Sequence, residues 1–193
     1  MKIFFAIALL FCTPAMAERI QKPEFSIDVP KNWNEIPQAV LIKSFEDIQR
    51  ALPNSTYPKQ NYGFQIGKTW LSYPYLMIEI KASRKYSLSE LRSAGKIDVQ
   101  KISVQSKEQL VEWMNNIDIG KPLYDEHTNI TWVFLKGKVA NIGDVSGILG
   151  MIPTENGFIQ VTGSSKVGDF YKNLPIFQKI ILSIKVSSKL AYQ

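Results

Sequence analysis

The chain has one cysteine, Cys12, and one histidine, His127, in 193 residues. A single cysteine excludes a structural disulfide and a cysteine-rich zinc site, and if Cys12 leaves with a cleaved leader no thiol nucleophile remains either. Only carboxylate metal sites remain open, and Asp125-Glu126 lacks the spaced acids and glycine of a calcium loop. Long apolar runs are equally scarce. The longest, from Ile3 to Cys12, is about half of the ~20 residues that a membrane-spanning helix needs. Phosphate-binding motifs are missing as well. Gly143-Asp144-Val145-Ser146-Gly147 reads as strand, with its glycines at a bulge or a close backbone approach, rather than as a strand-to-helix loop. No Gly-x-Ser-x-Gly elbow is found, and Ser164-Ser165-Lys166 and Ser183-Ile184-Lys185 lack the Ser-x-x-Lys spacing. No catalytic residue, cofactor site or metal site is therefore assigned from sequence.

What is present begins at the N-terminus. Lys2, the apolar run, the Thr13-Pro14 break and Ala15-Met16-Ala17 form the pattern of a secretory signal peptide, cut after Ala17. The expected organisation is a leader over residues 1–17 and a single domain over 18–193. The short leader with one lysine suits a Gram-negative periplasm. The alternative is a lipid anchor on Cys12, but the bulky Phe11 before it is not the small residue that such attachment wants. Cleavage after Ala17 removes the only cysteine, so the mature fold rests on its hydrophobic core. About 175 residues are ample for one core, and a 45% apolar content argues against disorder.

The formal charge is +6, or +5 without Lys2, and it is spread along the chain. The nearest thing to a cluster is Lys81, Arg84 and Lys85. It implies at most a weak attraction to an anionic membrane surface. Nucleic acid is not an expected partner.

Phe25-Ser26-Ile27-Asp28-Val29 alternates as a half-buried strand, ended by Pro30-Lys31-Asn32. A helix is predicted over 37–52, with Val40, Leu41, Phe45, Ile48 and Leu52 on its apolar arc and Pro37 in its first turn. Strands are predicted over 62–66 and 75–81. In the second, Leu76, Ile78 and Ile80 share one face. Ser87-Leu88-Ser89-Glu90 is a capping box for a helix over 88–94, and a further helix is predicted over 107–115. The last third reads as sheet, with strands over 123–127, 130–136, 144–152 and 158–163. Thr128-Asn129 and Asn156-Gly157 serve as hairpin turns. A closing helix buries Phe170, Leu174, Phe177, Ile180, Ile181 and Ile184. Pro175 is expected to hold its main body back to about Leu174, with 169–173 a separate turn. Hairpin-linked strands and one-faced helices define an α+β fold with a mainly antiparallel sheet.

The run from Phe25 to Trp33 resembles the strand, proline and tryptophan that open PsbP-like proteins. Asp169-Phe170-Tyr171, followed by Phe177-Gln178-Lys179-Ile180-Ile181-Leu182-Ser183-Ile184, is similar to their closing helix. This superfamily includes the photosystem extrinsic P protein, the yeast Ran-binding Mog protein and the bacterial periplasmic DcrB proteins. The resemblance implies an α/β/α sandwich, and binding or assembly rather than catalysis; the export signal and the cysteine-free mature chain put this chain nearer the bacterial periplasmic branch.

Two segments remain as functional candidates. Trp70, Tyr73 and Tyr75 stand among turn formers between two predicted strands, as a candidate contact surface for an envelope partner protein or a small ligand. Asp125 and His127, if both on a strand, would share a face and offer an Asp–His pair to a serine from elsewhere. Three functions are thus in play: an exported, non-enzymatic binding or envelope-assembly protein; a small-molecule or lipid carrier opening around Phe45, Trp132 and Phe177; and an exported hydrolase.

Overall fold

The computed structural model describes residues 17–51, 53, 59–94, 114–139 and 142–191. Among these described residues the chain builds two sheets. The larger has eight strands. These are β3 (Trp33–Glu35), β4 (Tyr62–Ile66), β5 (Tyr75–Ala82), β6 (Met114–Ile119), β7 (Leu123–Asp125), β8 (Ile130–Val139), β9 (Gly143–Thr154) and β10 (Gly157–Lys166). Its order is β3-β4-β5-β10-β9-β8-β6, with β7 also paired to β8, and every ladder is antiparallel. The smaller sheet sets β2 (Phe25–Pro30) between β1 (Ala17–Gln21) and β11 (Lys185–Val186). The described helices are α1 (Gln38–Ala51), α2 (Leu88–Ala94) and α3 (Val167–Leu182). The fold is α+β and mainly antiparallel, as the residue pattern predicts.

Strand alternation sorts the side chains. Phe64, Leu76 and Ile78 join Ile148, Ile152, Ile159 and Val161 on one face of the large sheet. There they meet Phe25, Ile27 and Val29 of the small sheet and Phe170, Phe177, Ile180 and Ile181 of α3. Burying each such side chain is worth roughly 1.5–3 kcal/mol against solvent. Glycines on the sheet admit α3 closely. A Cβ at Gly163 would lie 2.5 Å from the Phe177 ring, and one at Gly150 would lie 2.8 Å from Ile181. The close approach expected of the β9 glycines is thus found, at Gly147 as well, 3.0 Å from the Gly163 carbonyl. On the opposite face, Ile36 and Met77 crowd Gly63. Ile36, Leu41 and Ile48 are buried there outside the large core.

The Ser87–Glu90 capping box forms as predicted. Glu90 N donates to Ser87 Oγ at 3.3 Å, and Ser87 N donates to Glu90 Oε2 at 2.8 Å. The Arg84 guanidinium first, then Ser87 N and the Ser87 hydroxyl, donate to the Glu90 carboxylate and hold its pKa down at about 2.

Five expectations are corrected. First, α3 runs unbroken through Pro175. A proline inside a helix costs roughly 3 kcal/mol, but a break would lift Phe170 and Asn173 off the core, where Asn173 Nδ2 donates to Ser165 Oγ at 3.0 Å. Pro175 also lies on the exposed side, where water can serve the carbonyl it leaves without an amide partner. Second, Met114 and Asn115 belong to β6, because the ladder to β8 supplies their backbone partners. The rest of the predicted 107–115 helix lies outside the described residues. Third, His127 sits in the β7–β8 turn rather than on a strand. Fourth, the β9–β10 turn residues are Glu155 and Asn156, and Gly157 opens β10. Its φ of +124° and the Lys81 carbonyl 1.9 Å from any added Cβ require glycine there. Fifth, Pro37 stands just ahead of α1, its carbonyl accepting from Val40 and Leu41. The short strands β3 and β11 carry too few residues to show a period, and β1, with charged and polar residues at three of its five positions, shows no apolar alternation.

Candidate functional site

The aromatic candidates gather on the β4–β5 connection, residues 67–74, and the first residue of β5. Trp70 is 38% exposed. Tyr73 and Tyr75 stack with ring centroids 4.8 Å apart and planes at 26°. The structure therefore brings Tyr73 and Tyr75 together and presents Trp70 on the same loop.

The loop is held from below by a side chain that the sequence reading did not single out. Gln65, on β4, is fully buried. Its Nε2 donates to the Thr69 carbonyl at 2.6 Å, and its Oε1 accepts from Leu71 N at 2.6 Å. One amide thus ties two points of the loop backbone, as a paired strand would. Ser72 Oγ also donates to Thr69 O at 2.6 Å, and Asn34 Nδ2 donates to Gly67 O at 3.1 Å. Within this frame Leu71 adopts a φ of +63°. Left-handed backbone costs a residue with a Cβ roughly 1–2 kcal/mol, and such strain persists only where the surroundings impose it. A polar residue inside the strand Tyr-Gly-Phe-Gln-Ile, just before a Gly-Lys-Thr turn, is its trace in the sequence, which does not by itself specify a clamp.

The other candidates resolve differently. Asp125 accepts from its neighbours' His127 N at 3.0 Å and Thr128 Oγ1 at 2.8 Å. These bonds, led by the threonine hydroxyl, lower its pKa. The carboxylate shapes the turn, and among the described residues it forms no bond to the His127 ring. The nucleophilic version of a hydrolase thus lacks its Asp–His pair. Lys81, Arg84 and Lys85 each face an acid: Glu79 at 3.4 Å, Glu90, and Glu155 at 2.8 Å. That leaves the segment without a bare basic patch. Phe177 is fully buried between Gly163 and Trp33, whose ring centroid is 6.0 Å from its own. Phe45 belongs to α1, outside that core. The carrier residues Phe45, Trp132 and Phe177 therefore do not meet around one opening.

Glu79 is unusual. Its side chain lies on the face of β5 opposite the large core, and Oε2 is buried without a hydrogen bond among the described residues. Lys81 Nζ is 3.4 Å away, outside hydrogen-bonding geometry. Burial raises the Glu79 pKa, and the nearby lysine only partly opposes it. Among the described residues, no group of three or more His, Cys, Asp or Glu is placed to hold a metal ion. No helix among them is long and apolar enough to cross a membrane.

These two antiparallel sheets, closed by a long C-terminal helix, define a PsbP-like α+β fold. The cyanobacterial PsbP protein (CyanoP) of Synechocystis sp. PCC 6803 superposes with a TM-score of 0.54 at 10% identity, over 91% of this chain and 95% of that one. A Bacteroides thetaiotaomicron protein gives 0.47 at 12% identity, over 90% of this chain and 50% of its own. LpqN of Mycobacterium tuberculosis, described as involved in cell envelope biogenesis, gives 0.43 at 11% identity, over 88% and 90%. No protein-family model and no curated protein matches the sequence.

Proposed function

We propose that this chain is an exported, non-enzymatic binding protein of the bacterial envelope, with the loop bearing Trp70, Tyr73 and Tyr75 as its contact surface. The observation that carries the reading is the Gln65 clamp. A fully buried amide holds a strained loop in one shape while leaving Trp70 at the surface. Pre-organised aromatic side chains bind with little loss of conformational entropy. Export and residence in the periplasm rest on the leader pattern, with cleavage after Ala17.

A photo-crosslinking amino acid at position 70, in intact cells, tests the contact. A repeatable envelope partner is expected, and it should be lost when Gln65 is changed to Leu. Recovery of only the same bystanders as from a crosslinker at Tyr171, on the far more exposed surface of α3, would sink the proposal. The mass of the protein recovered from the envelope fraction reads the cleavage: a start at Glu18 supports it, and a lipid on Cys12 refutes it.

A further inference from the structure

The aromatic loop holds a feature that binding alone does not use. Of the ring contacts among the described residues, one joins two phenols. Tyr62 meets Phe25, Tyr86 meets Phe158 and Tyr171 meets Phe170, whereas Tyr73 meets Tyr75. That pair is stacked, with centroids 4.8 Å apart, planes at 26° and hydroxyl oxygens 3.5 Å apart. Sequence spacing does not give this by itself, because residues two apart on an extended strand are separated by about 7 Å. The fold draws the rings together and holds both ends of the contact. Tyr75 is fixed in β5 between Gln65 of β4 and Ser164 of β10. Tyr73 follows closely on Leu71, whose amide is bound by Gln65.

Two phenols so placed have a chemistry of their own. A tyrosine that loses one electron and its hydroxyl proton becomes a phenoxyl radical, with unpaired spin on the ring carbons beside the C–O carbon. Two such carbons join through their π lobes, at right angles to the rings, so stacked rings lie close to the geometry of coupling. Oxygens 3.5 Å apart bring those ring edges alongside each other. A held arrangement of this kind replaces a chance encounter of the two radicals. Both side chains are partly exposed, so water takes up the protons. We propose that Tyr73 and Tyr75 form an oxidative crosslinking site, converted to dityrosine by a peroxide-fed one-electron oxidant. Each phenol gives up one electron and one proton, and the two radicals form one C–C bond between carbons ortho to oxygen. The hydrogen on each of those carbons then leaves as a proton while each oxygen regains one, restoring both phenols. In sum, two aryl C–H bonds break and one C–C bond forms. The two electrons and two protons convert one hydrogen peroxide to two waters. The product is a covalent tie that needs no thiol, in a chain whose one cysteine lies in the predicted leader. It does not depend on what the loop contacts.

The test treats the purified protein with a haem peptide (a small peroxidase) and hydrogen peroxide, then digests it with trypsin. Both tyrosines fall in one tryptic peptide, Thr69 to Lys81. That peptide is expected to become lighter by two hydrogen atoms, to show blue dityrosine fluorescence, and to give no fragment ions from breaks between Tyr73 and Tyr75. Oxygen added to Trp70 or Met77 raises its mass instead and is read separately. The yield should not depend on protein concentration. It should exceed that of the free Thr69–Lys81 peptide, treated alike, by about tenfold or more, since the free peptide does not hold the stack. Tyr73→Phe and Tyr75→Phe should each abolish the product, and Tyr171→Phe should retain it, with circular dichroism checking the fold of all three. No lightened peptide from the folded protein, an equal yield from the free peptide, or a product that survives Tyr73→Phe overturns the proposal. So does dityrosine found only between separate chains.

Discussion

Changing Gln65 to Leu separates the clamp from the rest of the fold. The two side chains are close in volume, so the change removes the amide without opening a large cavity. The Thr69 carbonyl remains satisfied, since Ser72 Oγ and Ser72 N donate to it at 2.6 and 3.3 Å. Leu71 N is the group that suffers, because Gln65 Oε1 is its acceptor at 2.6 Å. A partly buried N–H left without a partner costs about 1–3 kcal/mol. Two effects pull this toward the lower end: leucine buries no amide of its own, and Leu71 is free to leave its strained backbone. A net loss of about 1–2 kcal/mol is expected. With a urea dependence of about 2 kcal/mol/M, the unfolding midpoint should fall by roughly 0.5–1 M. The loop should also open locally. Trypsin cleavage after Lys68 should accelerate under native conditions, and the Trp70 contribution to emission should shift to the red. Gln65→Glu is the control: it keeps an acceptor for Leu71 N but places a carboxylate at a fully buried position, so it should be more damaging at pH 7 than at pH 4. A Gln65→Leu midpoint unchanged within measurement error, with unchanged cleavage at Lys68, would show that the amide does not hold the loop.

Leu71→Gly relieves about 1–2 kcal/mol of left-handed strain, while losing part of a side chain and adding glycine's unfolded-state entropy. Urea unfolding should therefore shift little, and a large stability loss would contradict the strain argument. Gly163→Ala forces the Phe177 ring aside and should cost about 1–3 kcal/mol, lowering Tm by roughly 2–4 °C per kcal/mol. Adding Phe177→Leu should recover part of that loss, and strict additivity in the double-mutant cycle would deny the contact. The raised Glu79 pKa means that the folded chain binds this proton more tightly than the unfolded one. Its stabilising effect is full below the unfolded value of about 4.5 and is lost as pH rises through the higher folded value. Glu79→Gln should thus raise the urea midpoint at pH 7 more than at pH 4, and an equal change at both would refute the assignment.

Periodicity located the long elements because long elements repeat their pattern. The alternation of Leu76, Ile78 and Ile80 and the 3.6-residue spacing of Phe170, Phe177 and Ile181 each report one buried face. Pro175 misled because local propensity weighs only the lost hydrogen bond, while the helix is held by Phe170 and Asn173 on the turns before it. Met114 misled because its backbone partner is Val139, which no local pattern reveals. At the candidate site, Trp70, Tyr73 and Tyr75 were legible as aromatics among turn formers. Gln65 and the strain at Leu71 were not, since a clamp exists only when two strands and their connection are folded together.

The small sheet carries a different consequence. β2 belongs to the first part of the chain, yet one of its two neighbours is β11. Asp28 N donates to Ser183 Oγ at 2.9 Å across a separation of 155 residues, and Ser187 N reaches back to the Glu24 carbonyl at 2.8 Å. A chain emerging N-terminus first, from a ribosome or through a membrane pore, therefore cannot complete its first sheet until nearly all of it has emerged. Contacts so distant in sequence slow folding. They also give a partly emerged chain no finished native state to settle into. The fold is, in effect, timed by its own C-terminus.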